Sequence, residues 1–518
     1  MAKYLTGVLF IAFIAGTRGA APQCERLGSL ALPNATITLA QTVPAGAVEP
    51  SFTAPAAFCR VAATLKPTSD SDIKIEVWMP VEGWNGKFQA VGNGAFSGAI
   101  AYSAMRTALE RGYATASTDT GHTGNTASFA LGHPEKVVDF GWRAAHEMTI
   151  AAKRIVTAHY EKAPRYSYWV GCSTGGRQGF SEAQRYPDDF DGIFARVPVI
   201  NWVGLQHAGL RSGLATMGEG WIRPAQVKLV AEAVLKACDK ADGVEDSLVT
   251  DAVGCKARFR PESLRCAEGQ SGDACLSEAQ VKAIDTLHAT YKFSFPLANG
   301  LDDYPGWGVS GEGTPSFGPT GGWISWWLGT AAPAQPPAQN NGIAWIYGAG
   351  GIQYVFAQDP KLDVTKYRPE DHKARLLEVS QLMDSTNPDL SRFRARGGRL
   401  IILEHMADYA QSPYAGIRYF ENVQRTLGKT ETAEFARLYT APGVDHVGSG
   451  APANVDMLGV LVDWVEKGQA PADLEVSEQK VEAPSFAVVR ALPLCQWPAW
   501  PHFKSGPVNA ASSFACAP

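Results

Sequence analysis

The feature that most constrains this chain is a short apolar segment that ends in a glycine-flanked serine. Residues 166–170 are mostly aromatic or β-branched, which is typical of a buried strand. The next five residues, 171–175, are Gly-Cys-Ser-Thr-Gly, and a helix-like segment follows them. A serine between two glycines at a strand-to-helix turn presents its hydroxyl at the tip of a sheet. We therefore predict that Ser173 is a nucleophile, with the N-terminus of the following helix favouring developing negative charge.

The size and composition of the chain limit its class. Its 518 residues exceed one ordinary hydrophobic core, so we expect two domains, or one domain with a large insertion. Hydrophobic residues make up 45% and charged residues 19%, as in globular proteins. The net charge is −5 and no basic run is present, which gives no electrostatic reason to propose nucleic acid as a partner. We expect a monomer without an organic cofactor.

The first 20 residues are predicted to be a signal peptide. Lys3 supplies positive charge, residues 5–15 are mostly apolar, and small residues follow at 19–21. The apolar run is too short to span a bilayer, and no later segment is long and apolar enough to do so. We therefore predict a secreted or periplasmic protein with no membrane association.

Export allows the nine cysteines to form disulfides. Sequence proximity, which does not fix connectivity, suggests four bridges: Cys24–Cys59, Cys238–Cys255, Cys266–Cys275 and Cys495–Cys516. Cys172 is left over, next to Ser173.

Strands alternate with helices on both sides of Ser173, which predicts a mostly parallel sheet. Strands are expected at residues 73–79, 87–91, 112–117, 191–197, 398–405 and 435–440. Helices are expected at residues 139–160, 415–427 and 455–467. Between about residues 202 and 377 this alternation is replaced by a segment rich in Gly, Pro and Trp. We predict an α/β-hydrolase fold with a catalytic domain, residues 21–203 and 376–518, and a lid domain, residues 204–375.

Two residues downstream of the nucleophile would complete a catalytic triad. In α/β-hydrolases the acid and then the base follow the nucleophile, on loops after later strands. Asp408 and His446 each follow one of the last two predicted strands, so we predict them as acid and base. His405 as base and Asp445 as acid are weaker alternatives, because the first lies in a strand and the second adjoins His446. His122 precedes the nucleophile and is expected to be structural.

A glycine-rich loop, residues 92–98, follows the strand at 87–91. α/β-hydrolases place one oxyanion donor in a loop of this kind. We expect the backbone amide of Gly94, or of its neighbour Asn93, to be one donor and the amide of Thr174 to be the other. Taken alone, the loop would be interpreted as an ordinary flexible turn.

The sequence resembles the tannase and feruloyl esterase family, which also contains the mono(2-hydroxyethyl) terephthalate hydrolases. The resemblance covers nearly the whole mature chain and rests on residues 171–179, 183–193, 387–390, 396–398, 442–446, 463–468 and 470–471. It implies an α/β-hydrolase with a lid domain that cleaves esters of aromatic acids. The four cysteine pairs also resemble those of the family.

The chain departs from the family beside its proposed base. Family members commonly carry one cysteine before the serine and another directly after the histidine, bridged to each other. Cys172 is present, but Val447 follows His446, so this bridge cannot form. We predict that Cys172 is a buried free thiol packed near Val447.

An acidic loop, residues 238–248, contains three aspartates around a glycine. Closely spaced oxygen ligands suit calcium, although the spacing is not that of an EF-hand and an acidic surface turn would have the same composition. The resemblance implies a structural Ca²⁺ in the lid. Its implied ligands are the side chains of Asp239, Asp242 and Asp246 and the carbonyls of Val244 and Leu248.

The inserted segment also bears on the substrate. We expect most of its clustered aromatic residues to be lid core and one or two to face substrate: Trp307, Phe317, Trp323, Trp326 and Trp327. Residues 293–360 contain no Lys or Arg, whereas the family's terephthalate monoester hydrolases hold a free carboxylate with a lid arginine. Unless a cation enters from elsewhere, this favours a feruloyl, galloyl or other phenolic ester. A terephthalate monoester is the rival substrate, and a non-catalytic hydrolase-fold binding protein is the alternative from another class.

Overall fold

The fold is taken from a computed structural model, which describes residues 23–48, 52–314, 321–479 and 487–518. The predicted signal peptide lies outside the described residues. Within them, none of the helices combines the length and the apolar character needed to cross a membrane.

The centre of the protein is an eleven-stranded mixed sheet. In chain order its strands are β1 (Ala35–Val43), β2 (Phe58–Leu65), β3 (Ile73–Pro80), β4 (Lys87–Val91), β5 (Ala114–Thr118), β6 (Tyr166–Cys172), β7 (Gly192–Arg196), β8 (Arg399–His405), β9 (Ala436–Ala441), β10 (Leu474–Gln479) and β11 (Val488–Gln496). In space they are ordered β1-β2-β3-β5-β4-β6-β7-β8-β9-β11-β10. The six neighbouring strands β5, β4, β6, β7, β8 and β9 pair in parallel. The pairings on either side of this group are antiparallel.

Fourteen α-helices surround or extend this sheet in the described residues. Before β7 they are α1 (Tyr102–Glu110), α2 (Pro134–Val138), α3 (Ala144–Tyr160) and α4 (Thr174–Arg185). Between β7 and β8 they are α5 (Trp202–Ala215), α6 (Pro224–Cys238), α7 (Ala252–Arg258), α8 (Glu278–His288), α9 (Ile343–Gly350), α10 (Lys373–Met383) and α11 (Ser391–Ala395). After β8 they are α12 (Pro413–Leu427), α13 (Lys429–Ala433) and α14 (Met457–Lys467).

Strand β8 illustrates why the central strands are continuous apolar runs. Leu400 and Ile402 pack into the cluster that contains Ile155 of α3. Ile401 packs into the cluster on the other face, which contains Leu461 of α14. Because both faces are covered by helices, a parallel strand here has no solvent side and needs no polar alternation.

The chain between β7 and β8, residues 197–398, is called the inserted segment below. In its described part it adds no strand to the large sheet. β7 and β8 are nevertheless direct neighbours, with Ile193 opposite Leu400 and Arg196 opposite Leu403. The insertion therefore leaves the sheet at the carboxyl end of β7, the edge on which Ser173 also lies, and the chain returns to the opposite edge to begin β8.

The predicted strands and helices are present, with ends that differ by a few residues. The helix expected at 139–160 begins with a wider π-turn over Asp139–Arg143 before α3. Four antiparallel strands at the two ends of the sheet were not predicted from the sequence: β1, β2, β10 and β11.

All four expected disulfides are present: Cys24–Cys59, Cys238–Cys255, Cys266–Cys275 and Cys495–Cys516. The first and last fix the chain ends to β2 and β11, and the other two lie in the inserted segment. Cys172 is the free cysteine.

Candidate active site

Ser173 lies on a strained turn between β6 and α4. Its φ and ψ are 59° and −121°, a left-handed conformation that residues with a side chain rarely adopt. Its amide donates to the carbonyl of Arg196 at 3.0 Å, which ties the turn to the end of β7. A Cβ on Gly171 would lie 2.1 Å from the carbonyl oxygen of Gly175, so only glycine fits at position 171.

Asp408 and His446 are joined by a hydrogen bond. They lie on the loops after β8 and β9, and these neighbouring parallel strands end at the same edge of the sheet. His446 Nδ1 is 2.7 Å from Asp408 Oδ2. Asp408 Oδ1 accepts from the amides of Ala410 at 2.7 Å and Gln411 at 3.0 Å. The carboxylate is therefore held in one orientation, facing the imidazole.

Ser173 and His446 line the same cavity, whose volume is about 800 Å³. The inserted segment contributes Trp326, Ile343 and Tyr347 to its wall. Most of the remaining wall comes from the loop after β4 and from the ends of β6 and β7, and Ala104 of α1 and Asn125 also line the cavity. The predicted nucleophile, the predicted base and three aromatic residues, Phe194, Trp326 and Tyr347, thus line one space. Its size is typical of small-molecule sites.

Hydrogen bonding distinguishes the backbone amides that were predicted as oxyanion donors. The amide of Asn93 donates to Oε1 of Gln178 at 3.0 Å, and its carbonyl accepts from the amide of Gly175 at 2.7 Å. Among the described residues, none accepts from the amide of Gly94 or of Thr174. These two amides are thus available for a ligand, and the amide of Asn93 is not.

The alternative catalytic residues are engaged elsewhere. His405 is buried, its Nδ1 is 2.6 Å from the carbonyl oxygen of Asp445, and burial lowers its pKa to about 3. Oδ1 of Asp445 accepts from amides of its own loop. Nε2 of His122 is 2.7 Å from the carbonyl oxygen of Phe96, so His122 supports the glycine-rich loop.

Two residues near Asp408 were not found from the sequence. Glu404 is buried, and desolvation, reinforced by the charge of Asp408, raises its pKa well above the ordinary range. Nε2 of Gln411 donates to Glu404 at 2.8 Å and lies 3.4 Å from Asp408 Oδ2. The sequence offers one signal for Gln411, its position three residues after the predicted acid, and none for Glu404.

The aromatic residues of the inserted segment divide as expected. Trp326 lines the cavity, and its ring centroid is 6.2 Å from that of His446. Trp307, Trp323 and Trp327 are buried in the core of the inserted segment. Phe317 lies outside the described residues. Tyr347, which the sequence did not single out, is the second aromatic residue that the inserted segment contributes to the cavity wall.

The prediction that Cys172 is buried is wrong. Its side chain is half-buried and lines the cavity next to Ser173. Val447 is 44% exposed, and its packing against Cys172 stays a prediction. Cys172 is the last residue of β6, at the end of the strand that faces the cavity.

The acidic loop offers the oxygen donors that calcium prefers. Asp239 and Asp242 are buried, and burial raises the pKa of Asp242 and of Asp246. The guanidinium of Arg490 contacts Asp246 and balances one charge. Among the described residues none donates to the carbonyls of Val244 or Leu248. The donor set therefore fits a hard divalent cation.

The carboxylates of this loop are nevertheless not tightly clustered. Among the described residues, one group of three possible metal ligands has all its ligand atoms within 4.8 Å of one another: His146, Glu182 and Asp189. This group is remote in sequence from the acidic loop, whose aspartates form no such group. The loop therefore matches calcium by ligand type rather than by a closed cage of side chains.

Comparison with known proteins identifies the family. Residues 59–517 match the family described as tannase and feruloyl esterase. The chain belongs to this family. It is 34% identical to an uncharacterized esterase of Xanthomonas campestris pv. campestris, over 96% of this chain and 92% of that protein. It is 32% identical to a probable feruloyl esterase of Arthroderma benhamiae, over 89% of this chain and 85% of that protein.

Solved structures of the tannase and feruloyl esterase family share the fold. Feruloyl esterase B from Aspergillus oryzae superposes with a TM-score of 0.84 at 26% identity, over 96% of this chain and 99% of that chain. Tannin acyl hydrolase from Aspergillus niger superposes with a TM-score of 0.72 at 22% identity, over 96% and 94%, which bears on the fold alone. The α/β-hydrolase prediction is confirmed, and this member of the family is a carboxylic ester hydrolase.

Proposed function

We propose that this protein is a secreted serine esterase that hydrolyses esters of phenolic carboxylic acids. The observation that carries the proposal is the shared cavity of Ser173 and His446, with the imidazole held by Asp408 at 2.7 Å. The relatives named feruloyl esterase support the phenolic acyl group. The aromatic wall formed by Trp326 and Tyr347 suits a planar ring.

In the first half-reaction, Oγ of Ser173 attacks the carbonyl carbon of the ester while Nε2 of His446 takes the hydroxyl proton. The negative charge that develops on the carbonyl oxygen is stabilised by the amide of Gly94, in the loop after β4, and by the amide of Thr174, the first residue of α4. The bond to the alcohol oxygen then breaks, and His446 returns the proton to that oxygen. The alcohol leaves, and Ser173 carries the acyl group.

In the second half-reaction, water takes the place of the alcohol. His446 removes a proton from the water as its oxygen attacks the acyl carbon, and returns that proton to Ser173 when the acid leaves. Asp408 fixes the tautomer of His446 and stabilises the imidazolium in both halves. The inserted segment acts as the lid of this site, because it supplies Trp326, Ile343 and Tyr347 to the cavity wall.

A structural Ca²⁺ in the lid is part of the proposal. The side chains of Asp239, Asp242 and Asp246 and the carbonyls of Val244 and Leu248 would hold it. Bound there, the cation would offset the charge of buried carboxylates and stabilise the loop that follows α6. The disulfide Cys238–Cys255 closes the same loop, and both devices suit a protein that works outside the reducing cytosol.

A substrate panel on the purified mature protein tests the function. Methyl ferulate, methyl gallate and mono(2-hydroxyethyl) terephthalate are compared by kcat/KM, with Ser173→Ala as the inactive control. Turnover of either phenolic ester that is lost in S173A is the expected result. Turnover that persists in S173A would remove the mechanism. An absence of any ester hydrolysis by the wild type would instead favour a binding protein on the same fold.

A further inference from the structure

Arg196 is the last residue of β7 and lines the proposed active-site cavity. It pairs with Cys172 in the parallel ladder of β6 and β7, and its carbonyl holds the amide of Ser173. Nη1 of Arg196 lies 4.0 Å from the point where a Cβ on Gly448 would be, two residues beyond His446. The guanidinium thus lies between the strand that carries the nucleophile and the loop that carries the base.

The guanidinium has no counter-charge. Among the described residues, no carboxylate pairs with the guanidinium of Arg196 within 4.0 Å, and no side chain or carbonyl accepts a hydrogen bond from it. The described residues that line the cavity include no Asp or Glu, and Arg196 is their only Lys or Arg. A half-buried cation without a partner in a concave site attracts anions.

Next to Arg196 the cavity wall is apolar. In the ladder Val170 lies opposite Phe194 and Cys172 opposite Arg196, so these four side chains share one face of the sheet. Ala104 of α1 lines the same cavity. This patch is separate in the chain from the aromatic wall of the inserted segment, so the cavity has room for an uncharged part and an anionic part of one ligand.

We propose that Arg196 binds a carboxylate of the ester substrate, so that the preferred substrates are aromatic esters bearing one free carboxylate. The inference rests on the proposed esterase function. It changes the expectation drawn from residues 293–360, which lack Lys and Arg, because the cation enters from β7 rather than from the lid. The carboxylate can belong to the leaving alcohol or to the acid, and both sources present the planar group that a guanidinium binds with two hydrogen bonds.

Two matched substrate pairs test the proposal and separate these sources. The first pair is the feruloyl ester of glycolate and the feruloyl ester of glycolamide, which differ only in a charge on the alcohol. The second pair is mono(2-hydroxyethyl) terephthalate and its analogue with a carboxamide in place of the free carboxylate. For each pair the ratio of kcat/KM, anionic over neutral, is measured for the wild type, Arg196→Gln and Arg196→Lys.

We expect the wild type to prefer the anionic member of at least one pair by about tenfold or more. The ratio should fall to near one in R196Q and be partly kept in R196K, which retains the charge but not the planar fork. The pair that responds identifies which part of the substrate carries the carboxylate. A wild type without preference in either pair, or a ratio that R196Q leaves unchanged, would overturn the proposal.

A measurement without a variant keeps the test valid if R196Q does not fold. The wild-type ratio should decrease as ionic strength rises, because salt screens a partly exposed ion pair, and a ratio independent of salt contradicts the proposal. Failure here is distinct from failure of the proposed function. Hydrolysis of the neutral esters without an anionic preference refutes only the role of Arg196, whereas no hydrolysis of any of the four esters refutes the esterase itself.

Discussion

Nδ1 of His446 lies 2.7 Å from Oδ2 of Asp408, whose side chain has no exposed surface. Because two backbone amides hold the other carboxylate oxygen, the acid cannot turn away from the imidazole without losing these bonds in a buried site. The bond therefore favours the tautomer that carries its proton on Nδ1 and leaves Nε2 free to accept a proton, as the proposed mechanism requires.

Asp408→Asn should lower kcat by about 10³- to 10⁴-fold with little change in KM, because the amide favours the wrong tautomer of His446. Steady-state kinetics on methyl ferulate measures this. Asp445→Asn is the matched control, since Asp445 accepts from amides of its own loop and the amide oxygen of Asn can still do so. A larger loss in D445N than in D408N would show that the acid is misassigned.

Gln178→Leu should lower kcat by about tenfold to a hundredfold and leave KM nearly unchanged. Gln178 accepts from the amide of Asn93 and donates to its side chain at 3.1 Å, so its loss lets the loop that carries Gly94 shift. Gln184→Leu is the control on the same helix, where Gln184 binds the carbonyl of Ser385 instead. Equal losses of kcat in the two variants would mean that α4 was destabilised in general.

Thiol titration of the denatured, unreduced protein should find one free thiol per chain, Cys172. The native protein should react as well, because this thiol lines the cavity, and a bulky maleimide should inhibit ester hydrolysis by filling the space beside Ser173. Cys172→Ala should be insensitive to the reagent. Inhibition that persists in C172A would place the reaction elsewhere.

Removal of calcium with a chelator should lower Tm by about 5 °C or more, and added Ca²⁺ should restore it. Asp242→Asn should abolish this response because Asp242 is a buried donor of the acidic loop. Glu245→Gln should retain the response, since Glu245 pairs with Lys240 at the surface of the same loop. The site would be contradicted if Tm stays unchanged after chelation although elemental analysis shows that the chelator has removed the bound calcium.

Asp384→Asn should make stability less dependent on pH. Burial raises the pKa of Asp384 from 3.8 to about 7, so between these values the folded carboxyl keeps a proton that the unfolded chain has lost. Its contribution to the free energy of unfolding therefore falls as pH rises through this window, by at most about 4 kcal/mol. Urea unfolding at pH 5 and pH 8 should show that the free energy of unfolding of D384N, relative to that of the wild type, is higher at pH 8 than at pH 5. Parallel pH profiles would contradict the assignment.

The sequence was sufficient for the central sheet because its strands are continuous apolar runs between helices. The strand Lys87–Val91 was predicted with its observed ends. β1 was missed because it lies at an edge of the sheet, where its side chains alternate only partly between buried and exposed. Local periodicity is weak in such a strand, and pairing with β2 decides its conformation.

The site was predictable only where a motif determines it. Residue order and loop position indicated Ser173, Asp408 and His446. The choice between the amides of Asn93 and Gly94 depended on Gln178, 85 positions away, which no local pattern reveals. Arg196 was missed for a similar reason, since its place in the cavity follows from its register opposite Cys172 in the sheet.

The insertion between β7 and β8 also bears on the stage of folding at which the proposed active site is assembled. The proposed nucleophile precedes it and the proposed acid and base follow it, yet the two strands pair directly. Closing so long a loop is entropically unfavourable until the intervening chain has compacted. Hydrolytic activity should therefore be the last property acquired during folding, so that the recovery of turnover on refolding reports completion of the whole molecule.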